Sequence, residues 1–212
     1  MPHSSNARTA LLPVPLAPEI SVHRMDGSVG LFDLTGGEFR SDEPLPFWAF
    51  VWAGGQALAR HVLDHPDIVA GRHVLDVAAG SGVAAIAAAR AGAATVDAVD
   101  VDPASATAVL RNAAANGVAV NARAGDVLGG TTGGADVLLA GDVFYSRSTA
   151  ERMSAFLRAA HRDGARVLVG DPGRGYFPER LFERVAEYTV PVPAALEETE
   201  RLVTAVWEMR AT

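Results

Sequence analysis

Residues 72–103, RHVLDVAAGSGVAAIAAARAGAATVDAVDVDP, restrict the folds open to this chain more than any other stretch. Residues 73–78 read as a buried strand, 79–82 as a glycine turn and 83–91 as a helix of small residues. A second apolar run, 95–99, ends in Asp100. This is half of a βαβ unit of the nucleotide-binding kind. Gly80 and Gly82 allow backbone conformations and a close approach that a side chain would block. The helix that starts there points its unpaired N–H groups into the turn. A carboxylate about 20 residues beyond the glycines is placed to take the two hydroxyls of a ribose.

Gly80-x-Gly82-x-x-Ala85 fits the dinucleotide fingerprint, but Asp76 argues against that ligand. It stands in the strand just before the turn, where its carboxylate would lie under the ligand and repel a pyrophosphate. S-adenosylmethionine (SAM) has no phosphate and carries a sulfonium and an ammonium, so an acidic group there favours it. The plainer alternative is that Asp76 caps a loop and the glycines only turn the chain.

The rest of the chain extends this unit. Strands are expected at 118–123, 135–140, 166–169, 187–192 and 202–209. Helices are expected at 55–65, from Pro103 to about residue 116 behind an Asp102 cap, from a Ser148/Glu151 capping box to about residue 161, and at 177–186. Alternating strands and helices followed by a hairpin-like end predict a doubly wound α/β sheet. Ahead of it, residues 1–18 read as a mobile tail interrupted by Pro13, Pro15 and Pro18. Residues 20–25 and 29–34 read as a hairpin across Asp26-Gly27. The expected organisation is therefore an N-terminal extension, 1–43, and one catalytic-type domain, 44–212.

Composition removes several classes. With 212 residues and a net charge of −7, the chain suits one domain and shows no basic stripe for nucleic acid. All 18 basic residues are arginine and cysteine is absent, which excludes disulfides, thiolate metal sites and a cysteine nucleophile. His61 and His65 have metal-ligand spacing but no third partner, so no metal is expected. No apolar run approaches the ~18 residues of a membrane span. The N-terminus lacks the apolar region of a signal peptide; a cytoplasmic monomer is the expectation.

Five successive strands lead to an aspartate: Asp76, Asp100, Asp126, Asp142 and Asp171. In open α/β sheets ligands bind at those strand ends, so the pattern describes an acidic crevice for a cationic ligand. Asp76 is expected near the ligand's amino-acid part, Asp100 at the ribose, Asp126 at the adenine amino group, and Asp142 where the transferred group emerges, with Tyr145 three residues on. The aromatic cluster at 47–52, F-W-A-F-V-W, reads as core or as a wall of the site.

Taken in order, VLDVAAGSG, DAVDVDP, AGDVL and GDVFYS resemble the class I SAM-dependent methyltransferases. Residues 46–82 (PFWAFVWAGGQALARHVLDHPDIVAGRHVLDVAAGSG), 141–145 (GDVFY) and 167–174 (VLVGDPGR) resemble, more narrowly, the lysine methyltransferases of the electron transfer flavoprotein (ETF) β subunit. The resemblance spans about residues 44–209. It implies a seven-stranded mixed sheet of order 3-2-1-4-5-7-6 with the last strand antiparallel. It implies SAM held by Trp52, Asp76, Ala78, Gly80, Gly82, Asp100, Val101, Asp126, Val127 and Asp142. It implies Asp142 and Tyr145 as the catalytic acidic-x-x-aromatic pair, and Phe144, Tyr145, Asp171 and Arg174 on the substrate side. Ala78 departs from the superfamily pattern, which has glycine there. The partner implied is a protein, the ETF β subunit. The alternatives are another protein such as a ribosomal protein, a small amine or pyridine, or SAM binding without catalysis.

Overall fold

Three runs without polar alternation, at 73–77, 137–141 and 166–171, have the character of strands covered on both faces. The computed structural model, which describes residues 9–25, 46–194 and 199–210, puts them side by side at the centre of a sheet. In chain order the elements are β1 (Ala10–Pro13), β2 (Ser21–Arg24), α1 (Ala53–Asp64), β3 (His73–Val77), α2 (Val83–Arg90), β4 (Thr95–Asp100), α3 (Pro103–Ala115), β5 (Asn121–Ala124), β6 (Val137–Gly141), α4 (Arg147–Arg162), β7 (Arg166–Asp171), β8 (Phe182–Pro191) and β9 (Arg201–Met209). The seven-stranded sheet runs β5-β4-β3-β6-β7-β9-β8. Counted from β3 this is 3-2-1-4-5-7-6, and β9 is antiparallel to both its neighbours, as the sequence implied.

Alternate residues of each central strand enter opposite cores. Val74, Leu139 and Leu168 pack with α1, α2 and α3 on one face. Leu75, Leu138 and Val167 pack with Met153, Phe156 and Leu157 of α4 on the other.

The helix expected at 177–186 is absent. A short 3-10 turn, Glu179–Leu181, leads directly into β8, which pairs with β9 from Phe182↔Met209 to Pro191↔Arg201. Long antiparallel pairing overrides a weak local helical pattern. The face that helix would have covered is closed by an aromatic cluster in which Phe177 contacts Phe144, Phe182 and Trp207 at 4.9–5.3 Å between ring centres.

The tail is also corrected. Residues 10–13 form β1 and pair with β2, Ala10↔Arg24 to Pro13↔Ser21. Val14, Ala17, Ile20 and Val22 are fully buried in the same core as α1 to α3. The first strand of the expected hairpin, 20–25, is thus present as β2 and pairs with β1; its expected partner, 29–34, lies outside the described residues. Asn112 and Asn116 of α3 fasten it: Asn112 Oδ1 accepts from His23 N at 2.8 Å and Asn116 Oδ1 from Ser21 N at 3.0 Å. Asp102 caps α3 as expected, accepting from Ala104 N. The cap of α4 is Ser146, accepting from Thr149 N, rather than Ser148.

Candidate active site

Two helices begin at the carboxyl edge of the sheet without a capping side chain of their own. Each is capped instead by an aspartate from a strand end. Asp76 Oδ2 accepts from Ala85 N, the third residue of α2, at 3.0 Å. Asp142 Oδ2 accepts from Gly55 N, the third residue of α1, at 3.1 Å. Both carboxylates line one groove, together with Trp52, Ala78 and Gly80. A helix start carries partial positive charge, which suits a carboxylate held there.

On the β3/β4 side, the glycine turn is built by backbone geometry. Ala78, Gly80 and Gly82 all have positive φ (57°, 52° and 79°). Asp100 holds the turn: Oδ2 accepts from Gly80 N at 2.8 Å and Oδ1 from Asp102 N at 3.0 Å. A Cβ added to Gly80 would meet nothing within 4 Å, so its backbone faces an open cradle, whereas one on Gly82 would strike Val109 at 2.9 Å. Ala78 is accommodated in the same left-handed turn. Burial pushes the Asp76 carboxyl up to about 7; the Ala85 N–H opposes this and the charge of Asp100 adds to it. Val101, next to Asp100, is 72% exposed, so its apolar surface is open to a flat ring. Val127 is buried in the core below.

Asp126 departs from expectation. Its carboxylate is on the surface, paired with Arg152 of α4 and accepting from Leu128 N. The Arg152 guanidinium holds it below the usual carboxylate range. To reach an adenine amino group it would have to exchange that partner.

On the β6/β7 side, Asp142 also has positive φ, 56°, and its side chain is only 10% exposed. Its second oxygen accepts from Arg174 Nη2 at 3.2 Å. Burial pushes Asp142 up to about 6; the Arg174 charge and the Gly55 N–H oppose this and the charge of Asp171 adds to it. Asp171 is itself buried, 1% exposed, with Oδ1 accepting from Gly173 N and Arg174 N at 2.7 Å each. Burial raises it too. Asp171 thus shapes the loop that carries Arg174, and it is not at the surface to meet a substrate. Phe144 is likewise corrected: it is fully buried in the aromatic cluster. Tyr145, three residues past Asp142, is 66% exposed.

The sequence reading gave no role to the glycines that let these parts meet. A Cβ on Gly54 would lie 2.1 Å from the Gly170 carbonyl and 2.6 Å from Asp142 Oδ2; one on Gly141 would lie 2.8 Å from Gly55 N. The signal was present as Gly54-Gly55, Gly141-Asp142 and Gly170-Asp171. In each Gly-Asp pair the glycine admits the start of α1 and the aspartate bonds a neighbouring backbone. Asn112 was also missed: its Nδ2 donates to Ser81 O at 2.9 Å, tying the glycine turn to α3 and the N-terminal hairpin.

A larger cavity, about 230 Å³, opens beyond Phe50, bounded by Arg24, Gln56 and Pro191 among others. Its polar side chains serve the backbone. Gln56 donates to Val51 O and Pro191 O and accepts from Leu16 N. The titratable groups converge in the other groove.

A Caenorhabditis elegans homolog of the ETF β-subunit lysine methyltransferase is 31% identical over 208 residues, covering 83% of this chain and 82% of that protein. The chain belongs to the ETF β-subunit lysine methyltransferase family. The Rattus norvegicus member is 38% identical over 77% of this chain, and the chain spans 66% of that protein's length. The family model for ribosomal protein L11 methyltransferase (PrmA) matches residues 57–141. That match stops one residue before Asp142, so it covers the glycine-turn side of the groove and leaves out the β6/β7 loops. A solved ribosomal protein L11 methylase from Lactobacillus delbrueckii subsp. bulgaricus shares the fold, with a TM-score of 0.52, 22% identity, and 74% and 79% of the two chains covered. Of the Asp142-x-x-Tyr145 pair, Asp142 is the largely buried member, its side chain 10% exposed, and Tyr145 the exposed one.

Proposed function

We propose that this chain is a SAM-dependent N-methyltransferase that modifies a lysine of a protein substrate, with the ETF β subunit as its partner. The observation that carries the reading is the pair of buried capping carboxylates on one groove, Asp76 at the glycine turn and Asp142 at the end of β6. Asp76 and Asp100 together make the turn side a site for a cation without phosphate. Asp76 would meet the amino-acid end of SAM, Asp100 its ribose, the Gly80 backbone would lie against it, and Val101 and Trp52 would flank its rings. SAM supplies a methyl group on a sulfonium, and the carbon–sulfur bond breaks with its electrons to sulfur as the amine lone pair forms the new carbon–nitrogen bond.

What the chain must do is place the amine and keep water away. Asp142, at the junction of groove and rim, would orient the nitrogen. The proton that nitrogen loses passes to solvent. Exposed Tyr145 would border the entry, where it can touch the protein around the target side chain. Since the L11-type match omits the β6/β7 loops, it supports the cofactor more than a ribosomal substrate. No described helix is long and apolar enough to cross a membrane.

The test is transfer of labelled methyl to purified ETF β subunit, read by intact mass, with Asp142→Asn as control. Mass gains in steps of one methyl, absent with the variant, are expected. If a preparation that binds SAM adds no mass to that subunit, the partner is wrong, and a screen of other proteins and small amines follows.

A further inference from the structure

Amine methylation poses a charge problem that an ionised, unpaired Asp142 would make worse. A lysine ammonium has no lone pair and loses its proton in water only near pH 10.4. A carboxylate beside it holds the proton more tightly. The site should therefore contain something that offsets Asp142, and Arg174 is placed to do so.

Its guanidinium donates to Asp142 Oδ1 at 3.2 Å, and the loop behind it is stiff. Asp171 Oδ1 accepts the N–H groups of both Gly173 and Arg174 at 2.7 Å, Pro172 occupies the second position, and Gly173 turns at φ 91°. This is a turn closed on a buried carboxylate. The other oxygen of Asp142 is taken by Gly55 N at the start of α1. Among the described residues, the titratable groups in or linked to this part of the groove are Asp142 at its lining, Arg174 in the loop after β7 with buried Asp171 behind it, Tyr145 three residues past Asp142, and Asp76 in the same groove lining. Arg174 is the cation among them, and a guanidinium keeps its charge at any working pH.

Building on the amine-methyltransferase reading, we propose that Arg174 is a positioning residue of the acceptor site: pinned by buried Asp171, it keeps Asp142 ionised and cancels its charge, so that a primary amine enters in its neutral, nucleophilic form. Asp142 then aligns the nitrogen through a hydrogen bond without fixing a proton on it. This also gives the Asp-Pro-Gly-Arg loop a function distinct from docking. Burial already lifts Asp142 to about 6 with Arg174 in place, so without that cation the carboxyl would be substantially protonated near neutrality.

The experiment compares wild type, Arg174→Gln and Arg174→Lys in two readouts. The first follows the Asp142 carboxyl carbon by NMR during pH titration of the protein alone, with Asp142→Asn to assign the signal. The midpoint is expected near 6 in wild type, about 1 unit or more higher in Arg174→Gln, and restored by Arg174→Lys. The second is the pH profile of kcat/KM for methyl transfer. Its acidic limb should move upward in Arg174→Gln, lowering the value at pH 7 about tenfold or more, and return in Arg174→Lys. An unmoved midpoint overturns the proposal. So does a moved midpoint with an unmoved limb, or a loss confined to KM, which would make Arg174 a docking residue. If the midpoint shifts as expected but the wild-type protein methylates no amine at all, the amine reading itself fails, while the coupling of Arg174 to Asp142 stands.

Discussion

The two sides of the groove use the same device to opposite ends. Asp76 and Asp142 each leave a strand end and cap the third N–H of a helix. Each is displaced upward by burial. They differ in their neighbours. Beside Asp76 stands another carboxylate, Asp100, which adds to its displacement. Beside Asp142 stands Arg174, which opposes it. A carboxylate pair with no cation paired to it among the described residues suits the cationic ligand proposed for it. A carboxylate that already has its cation suits a group that must arrive neutral. On the proposed reading, one fold separates binding a charged donor from receiving an uncharged acceptor.

The largest expected effect comes from removing the packing that joins the sides. Gly54→Ala puts a methyl 2.1 Å from the Gly170 carbonyl and 2.6 Å from Asp142 Oδ2. It should cost about 3 kcal/mol in denaturant unfolding. Gly80→Ala meets no atom and should cost only about 1 kcal/mol, for its positive φ, while still weakening SAM binding. Equal losses for the two would show that the sides are not joined through the Gly54–Gly170 contact.

Asp76→Asn should weaken SAM at least 100-fold by calorimetry, about 2.7 kcal/mol, and at the same time stabilise the empty protein at pH 8. The sign follows from a folded-state value near 7 against an ordinary 3.8. Protonated Asp76 favours the fold below about 4, and that contribution is lost as pH rises through 7. The wild type should therefore lose about 4 kcal/mol relative to Asp76→Asn between pH 4 and 8. Parallel pH dependences would show that Asp76 is not a strained, ligand-ready carboxylate.

Smaller effects belong to the rim. Tyr145→Ala should leave unfolding within about 0.5 kcal/mol and raise KM for a protein substrate a few-fold. Arg152→Ala, which releases Asp126, should change SAM affinity least; a large loss would mean that this surface pair shapes the adenine side after all.

Much of this could be read in the chain beforehand, and the failures share a cause. The glycine turn and the aspartates at the strand ends are local patterns around buried strands, and the order of the sheet was implied by the family resemblance. What escaped was set by distant partners. Residues 182–191 became a strand because β9 offers it a full register of bonds. Phe144 turned inward because Phe177 and Phe182, from a later part of the chain, form the aromatic cluster that receives it. Asp-Pro-Gly-Arg announces a turn, but that Arg174 reaches across to β6 is visible only once both strands stand together. Residues 10–25 looked like a tail because prolines break regular elements, yet Val14, Ile20 and Val22 find a core in helices that come much later.

The most direct test of this division is to separate binding from turnover in Asp142→Asn. Asparagine tolerates the left-handed backbone at this position and can still accept from Gly55 N, so the fold should survive. SAM affinity by calorimetry should stay within about twofold of wild type, while methyl transfer under saturating SAM falls about 100-fold or more. If transfer survives, or if SAM affinity falls in step with it, Asp142 does not belong to a separate acceptor half, and the account of the groove is wrong.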